Sequence, residues 1–223
     1  MARLGDMKLL QVSTLDTTGG AERIATNLFN SYKSLGHHSW MCVGRKVTSD
    51  PSVVILPPCK VKSLSERVRF GLSRHFDERG LTSRGLRKLQ RLMVDVAEPV
   101  QWLQPQLGRE DFHFPGTWSL LNLPPERPDI VHCHNPHGGY FDLRVLPWLS
   151  REVPVVLTLH DAWLLSGHCA HSFDCEKWKE GCGSCPDLTI PPSIRRDATA
   201  FNWRRKRSIF QGANSMWRRH ANG

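Results

Sequence analysis

Apolar positions along this chain change period in a regular way. Lys8 to Ser13 (KLLQVS) is a short run of β character, followed by a polar, glycine-bearing loop, Thr14-Leu15-Asp16-Thr17-Thr18-Gly19-Gly20. Beyond it Ala21, Ile24, Ala25, Leu28, Phe29, Tyr32 and Leu35 recur at spacings of three and four, which marks one face of a helix. Ser39 to Val43 (SWMCV) reads as the next strand. Strand, glycine loop, helix and strand make a βαβ unit, which implies parallel pairing through a right-handed crossover.

Val53 to Leu56 predicts a third strand, closed by Pro57-Pro58. Residues 61–96 are helical in period and very basic, whereas 97–127 are rich in Pro, Gly and Trp and show no clear period. Asp129 to Cys133 predicts a fourth strand, Phe141 to Leu149 a helix, and Pro154 to Leu159 a fifth strand. Residues 163–192 form an irregular Cys-rich insertion, and 195–211 predict a basic terminal helix. The alternation points to the α/β class: a Rossmann-like, doubly wound parallel sheet in a single domain spanning 7–211.

Composition narrows the class. At 223 residues the chain suffices for one domain, and 39% hydrophobic content is that of a folded globular protein rather than a disordered one. No run approaches the ~18 apolar residues of a membrane span. The opening MARLGDMKLLQVS lacks the apolar core and cleavage site of a signal peptide, so a cytoplasmic location is expected.

The formal charge of +9 is unevenly spread. Between Lys60 and Arg91 stand ten Lys/Arg and three acids, and a second cluster comprises Arg195, Arg196, Arg204, Arg205, Lys206 and Arg207. Such clusters are either solvated helix faces or surfaces for phosphate on lipid, nucleic acid or a lipid-linked sugar. Residues 62–92 set Arg and Lys against Leu, Val and Phe in the manner of an interfacial helix, so peripheral attachment to an anionic membrane surface is expected. No DNA- or RNA-binding module is recognisable, and nucleic acid is not an expected partner.

Three constellations carry candidate chemistry. Gly19 and Gly20 at the first strand-to-helix turn would let the backbone approach a phosphate at a helix amino end, or simply make a tight turn. In Val131-His132-Cys133-His134-Asn135-Pro136-His137-Gly138-Gly139, strand alternation points His132 and His134 to one side. His134, Asn135 and His137 fall at the strand's carboxyl end, where sites form in open α/β sheets. The fifth strand ends the same way, in His160 and Asp161. There is no GxSxG elbow and no HExxH, so hydrolase readings lack support.

The third constellation is Cys169, Cys175, Cys182 and Cys185, spaced C-x5-C-x6-C-x2-C. Four thiols in a cytoplasmic protein make a structural zinc site a candidate, with free thiols or disulfides as the alternatives. Cys42, Cys59 and Cys133 read as core fillers. Charge and cysteines together frame the competing class, a basic zinc-binding nucleic-acid or regulatory interaction protein. The basic segments are expected to lie away from the Cys loop, which weighs against it.

Three stretches, TTGGAERIA, PDIVHCHNPHGGYFDLRVLPWLS and LTLHDAWLLSGHCAHSFDCEKWKEGCGSCPDL, resemble the N-terminal domain of glycosyltransferase family 4. They are most similar to bacterial members that build exopolysaccharide, colanic-acid-like or O-antigen chains. The resemblance implies the GT-B fold, with this chain as its acceptor-side half. It further implies retaining transfer from a nucleotide sugar to a glycan or lipid-linked acceptor, with no metal required for catalysis. By resemblance Gly19 and Gly20 lie near the donor pyrophosphate. His134 takes the catalytic position, as a positioning group near the transferred sugar, and Asn135, His137, His160 and Asp161 line the cleft. The family's donor-binding half carries an E-x7-E motif, which does not occur before Gly223. Residues 212–223 read as an atypical tail that suggests truncation, and little transferase activity is expected of the chain alone.

Overall fold

The computed structural model describes residues 6–57 and 99–213. The basic segment 61–96, Cys59 and residues 214–223 lie outside the described residues. Five strands form one sheet: β1 (Lys8–Leu15), β2 (His38–Arg45), β3 (Val53–Ile55), β4 (Ile130–His134) and β5 (Val155–Thr158). Their order is β3-β2-β1-β4-β5, and every pairing is parallel. The predicted α/β class and parallel sheet are therefore what the chain adopts.

Both faces of the sheet are covered, so the central strands read as nearly continuous apolar runs. On one face helix α1 (Gly20–Ser34) presents Ala25 and Phe29 to Met41, Val43 and Val53. On the other face Leu10, Val12, Cys42, Val131 and Cys133 pack with Leu120, Leu143, Leu146 and Leu149. Cys42 and Cys133 are the core fillers expected, and burial pushes the Cys42 thiol up to about 12.

Several elements differ from expectation. Ile24 and Leu35, counted on the buried stripe of α1, are exposed, because only Ala25 and Phe29 point straight at the strands. The stretch without periodicity contains helix α2 (Pro99–Gln106) and a 3₁₀ helix (Pro115–Asn122). Pro115 begins the second, where no backbone N–H is needed, and Pro105 lies inside the first; both obscure the pattern. The helix predicted over Phe141–Leu149 starts later. Asp142 caps a 3₁₀ turn by accepting from the Arg144 N–H, and helix α3 (Leu146–Glu152) follows.

A single helical turn, α4 (Lys177–Glu180), interrupts the Cys-rich segment. The terminal helix, α5, runs Thr199–Gly212. Asp197 sets its start by accepting the Thr199 N–H at 3.0 Å. Lys206, counted among surface charges, is buried: Nζ donates to Glu110 Oε1 at 2.9 Å and to the Trp163 carbonyl at 2.8 Å. The separation of basic helix and Cys loop also fails, since Trp203 Nε1 on α5 donates to the Trp178 carbonyl on α4.

Candidate functional site at the carboxyl edge of the sheet

Because β1, β4 and β5 are parallel neighbours, their carboxyl ends lie along one edge. Strand order reverses between β1 and β4: β2 and β3 continue to one side, β5 to the other. Such a reversal opens a crevice beyond the strand ends, the usual ligand position in open α/β sheets. Gly19 and Gly20 follow β1; His134, Asn135 and His137 close β4; His160 and Asp161 follow β5. The structure thus brings every predicted residue of the first two constellations to one rim.

At the β1 end, Gly19 adopts φ 99°, a left-handed conformation that favours glycine. Among the described residues no side chain caps α1, and its first N–H groups carry the positive end of the helix dipole. Glu22 folds back over Gly19, where a Cβ would clash with its Oε2. Asp16, unremarked in the sequence, steadies this loop. Its carboxylate accepts the Val47 and Thr48 N–H groups at 2.8 Å each, and its carbonyl accepts Thr26 Oγ1 at 3.0 Å. Burial raises its pKa, but donation from Thr48 and Val47 outweighs that and holds the carboxyl below its ordinary value.

At the β4 end three imidazoles stand together. The His132 and His134 rings lie 4.1 Å apart between centroids, on the same side as alternation predicts. His134 Nδ1 is 3.1 Å from His160 Nε2, and its Nε2 is 2.9 Å from Gln11 Oε1. His134 thus bridges Gln11 and His160 through its two ring nitrogens. Burial first, then the charges His132 and His160 would carry, push His134 down to about 3, so it is neutral at physiological pH. It is also fully buried. His134 is thus shielded from solvent and in contact with His160. Gln11 escaped the sequence reading; a polar residue amid KLLQVS was its only signal.

Asn135 has φ 41°, which asparagine tolerates better than most residues. Its Oδ1 accepts the His160 N–H at 2.9 Å and its Nδ2 donates to Asp161 Oδ2 at 2.9 Å, clamping the two strand ends together. Asp161 Oδ2 also pairs with His137 Nε2 at 2.8 Å, and Oδ1 accepts the Trp163 N–H at 2.9 Å. Burial raises the Asp161 pKa, but these donors outweigh it and leave a net lowering. The result is an ionised carboxylate with imidazole and amide groups fixed around it, a polar lining that suits sugar hydroxyls.

The four cysteines of the third constellation are free and half-buried. Cys182 Sγ accepts the Gly167 N–H at 3.1 Å, and Cys185 Sγ lies 3.5 Å from His168 Nε2. Among the described residues no three His, Cys, Asp or Glu side chains are arranged to hold a metal ion, so the zinc expectation gains no support from this arrangement. Among the same residues no helix is long and apolar enough to cross a membrane.

Comparison with known proteins adds a second line. The family model for Glycosyltransferase Family 4 matches residues 18–216. "Putative colanic acid biosynthesis glycosyl transferase WcaC" of Escherichia coli (strain K12) is 33% identical over 91 residues, covering 38% of this chain and 22% of that protein. The match thus spans about a fifth of that relative's length. No solved structure matches the chain. Neither match points to a nucleic-acid or zinc-regulatory protein.

Proposed function

We propose, since the chain belongs to glycosyltransferase family 4, that it forms the acceptor-side half of an enzyme that extends a polysaccharide by sugar transfer from a nucleotide sugar. The observation that carries this reading is the strand order β3-β2-β1-β4-β5, with the glycine turn and the His/Asn/Asp set meeting at the reversal. The donor itself is held by a partner domain of the GT-B kind, facing this rim.

Glycosyl transfer requires charge stabilisation at a departing diphosphate and a positioned acceptor hydroxyl. The uncapped amino end of α1, reached over Gly19, supplies N–H donors for the diphosphate. Glu22 swings out as the diphosphate enters. Asn135, His137, His160 and Asp161 orient acceptor and donor hydroxyls. His134, neutral and buried, is a positioning residue: it holds the His160 ring at the rim. No step calls for a metal ion.

The test is a transfer assay. The purified chain is combined with the donor-binding half of a family 4 enzyme, a labelled nucleotide sugar and lipid-linked acceptors. Labelled product is expected only when both halves are present, and His160→Ala should lower it at least about 100-fold, as loss of a positioning group at a reacting centre does. Equal transfer by His160→Ala, or no transfer with any donor half while the chain remains folded, overturns the reading.

A further inference from the structure

Beside the rim lies a cavity of about 470 Å³, bounded by the loops 105–114, 136–141 and 192–195. His137, Gly138 and Gly139 form its wall toward the strand ends, so whatever occupies it lies next to the polar set described above. Phe114 offers a partly exposed aromatic surface there, and the ring stands 4.0 Å from where a Cβ on Gly139 would be. An aromatic surface beside a hydrogen-bonding rim suits a sugar ring.

Two arginines, Arg109 and Arg195, also line this cavity, from different loops. Among the described residues neither forms a salt bridge with a carboxylate. Arg109 stacks 4.3 Å over the Phe201 ring, and Arg195 Nη1 donates to Gln106 Oε1 at 2.6 Å. Both contacts hold the guanidinium plane and leave N–H donors unused. The loops are pinned together at Gly108. A Cβ there would clash with the Arg196 carbonyl, its φ is 71°, and its own carbonyl accepts Asn202 Nδ2 at 3.0 Å. Glycine at 108 is thus what lets the two arginines share one cavity.

Two acidic residues, Glu110 and Asp111, line the same cavity, each already facing other cations. Glu110 is buried and paired with Lys206. Asp111 is exposed, accepts the His113 N–H at 2.8 Å, and stands in the field of Arg144 and Arg205. Arg205 adds a further cation behind the wall, 4.3 Å over the Phe112 ring.

We propose that this cavity receives an acceptor carrying an anionic oxygen group, carboxylate or phosphate, close to the sugar that accepts transfer, with Arg109 and Arg195 as its specificity-determining residues. This rests on the acceptor-side reading above and names the substrate class for it. Two forked guanidinium groups bind such oxyanions in pairs of charge-assisted hydrogen bonds, and they give little advantage to a neutral hydroxyl.

The test is a binding titration of the full 223-residue chain, followed by NMR. The probes are a disaccharide ending in a hexuronic acid, its neutral hexose counterpart, and a hexosyl diphosphate on a short prenyl tail. At least one charged probe is expected to bind about tenfold or more tightly than the neutral sugar, with an advantage that shrinks as salt rises. Which charged probe wins identifies the anion as a sugar carboxylate or a lipid diphosphate. R109Q and R195Q, checked for an unchanged melting temperature, should each remove most of that advantage. Equal binding of charged and neutral sugars, or a preference untouched by both substitutions, overturns the proposal while leaving the acceptor-side reading standing. Binding of none of the three probes overturns both.

Discussion

At the residue scale the account turns on imidazoles whose protonation is set by burial. His134 titrates near 6.5 in an unfolded chain and at about 3 when folded, so between those values the unfolded state binds the extra proton. Stability tied to this group is complete above about pH 6.5 and is lost as pH falls toward 3. The melting temperature should therefore decline from pH 7 to 4, and His134→Gln should flatten that decline; an unaltered slope would remove His134 from the explanation. Asp161 makes a separate claim. Asp161→Ala strands Asn135 Nδ2, His137 Nε2 and the Trp163 N–H, and should cost about 1–3 kcal/mol in urea denaturation. A loss well under 1 kcal/mol would mean that water replaces these bonds freely. Histidine and aspartate at strand ends were legible in the sequence from alternation and position. Gln11 and Asp16 were not, because a polar residue inside or just beyond an apolar run has no periodic signature of its partner, which lies on another strand.

At the scale of elements, strands and α1 were readable because each obeys one period over its length. The stretch from Pro99 to Asn122 was not, since Pro105 interrupts one helix, Pro115 starts the other, and 3₁₀ turns follow neither period. Helix α5 shows a different limit: its charges look solvated in sequence, yet Lys206 packs 3.9 Å over Trp163 and joins Glu110 inside. Burial pushes Glu110 up and Lys206 down, against their mutual attraction. Removing one partner leaves a lone buried charge, so Lys206→Met should lose about 3–5 kcal/mol. The double variant Lys206→Met with Glu110→Leu should recover most of it, because the desolvation penalty leaves with the pair. Urea titrations of both variants decide this, and a double variant no better than the single would refute it. The same pair anchors Trp163, whose N–H holds Asp161, so α5 steadies the rim from behind.

At the scale of the molecule, the parallel sheet gathers residues from positions 19 to 161 on one edge, and the strand-order reversal makes that edge a crevice. The opposite edge, at the amino ends of the strands, carries Lys8, His38, Ile130 and Val155. Amide chemical-shift mapping of the chain with an acceptor oligosaccharide distinguishes the two edges directly. The account predicts shifts concentrated at 19–22, 135–139 and 160–163. Shifts concentrated around the opposite edge, with the residues from 135 to 139 unmoved, would contradict it.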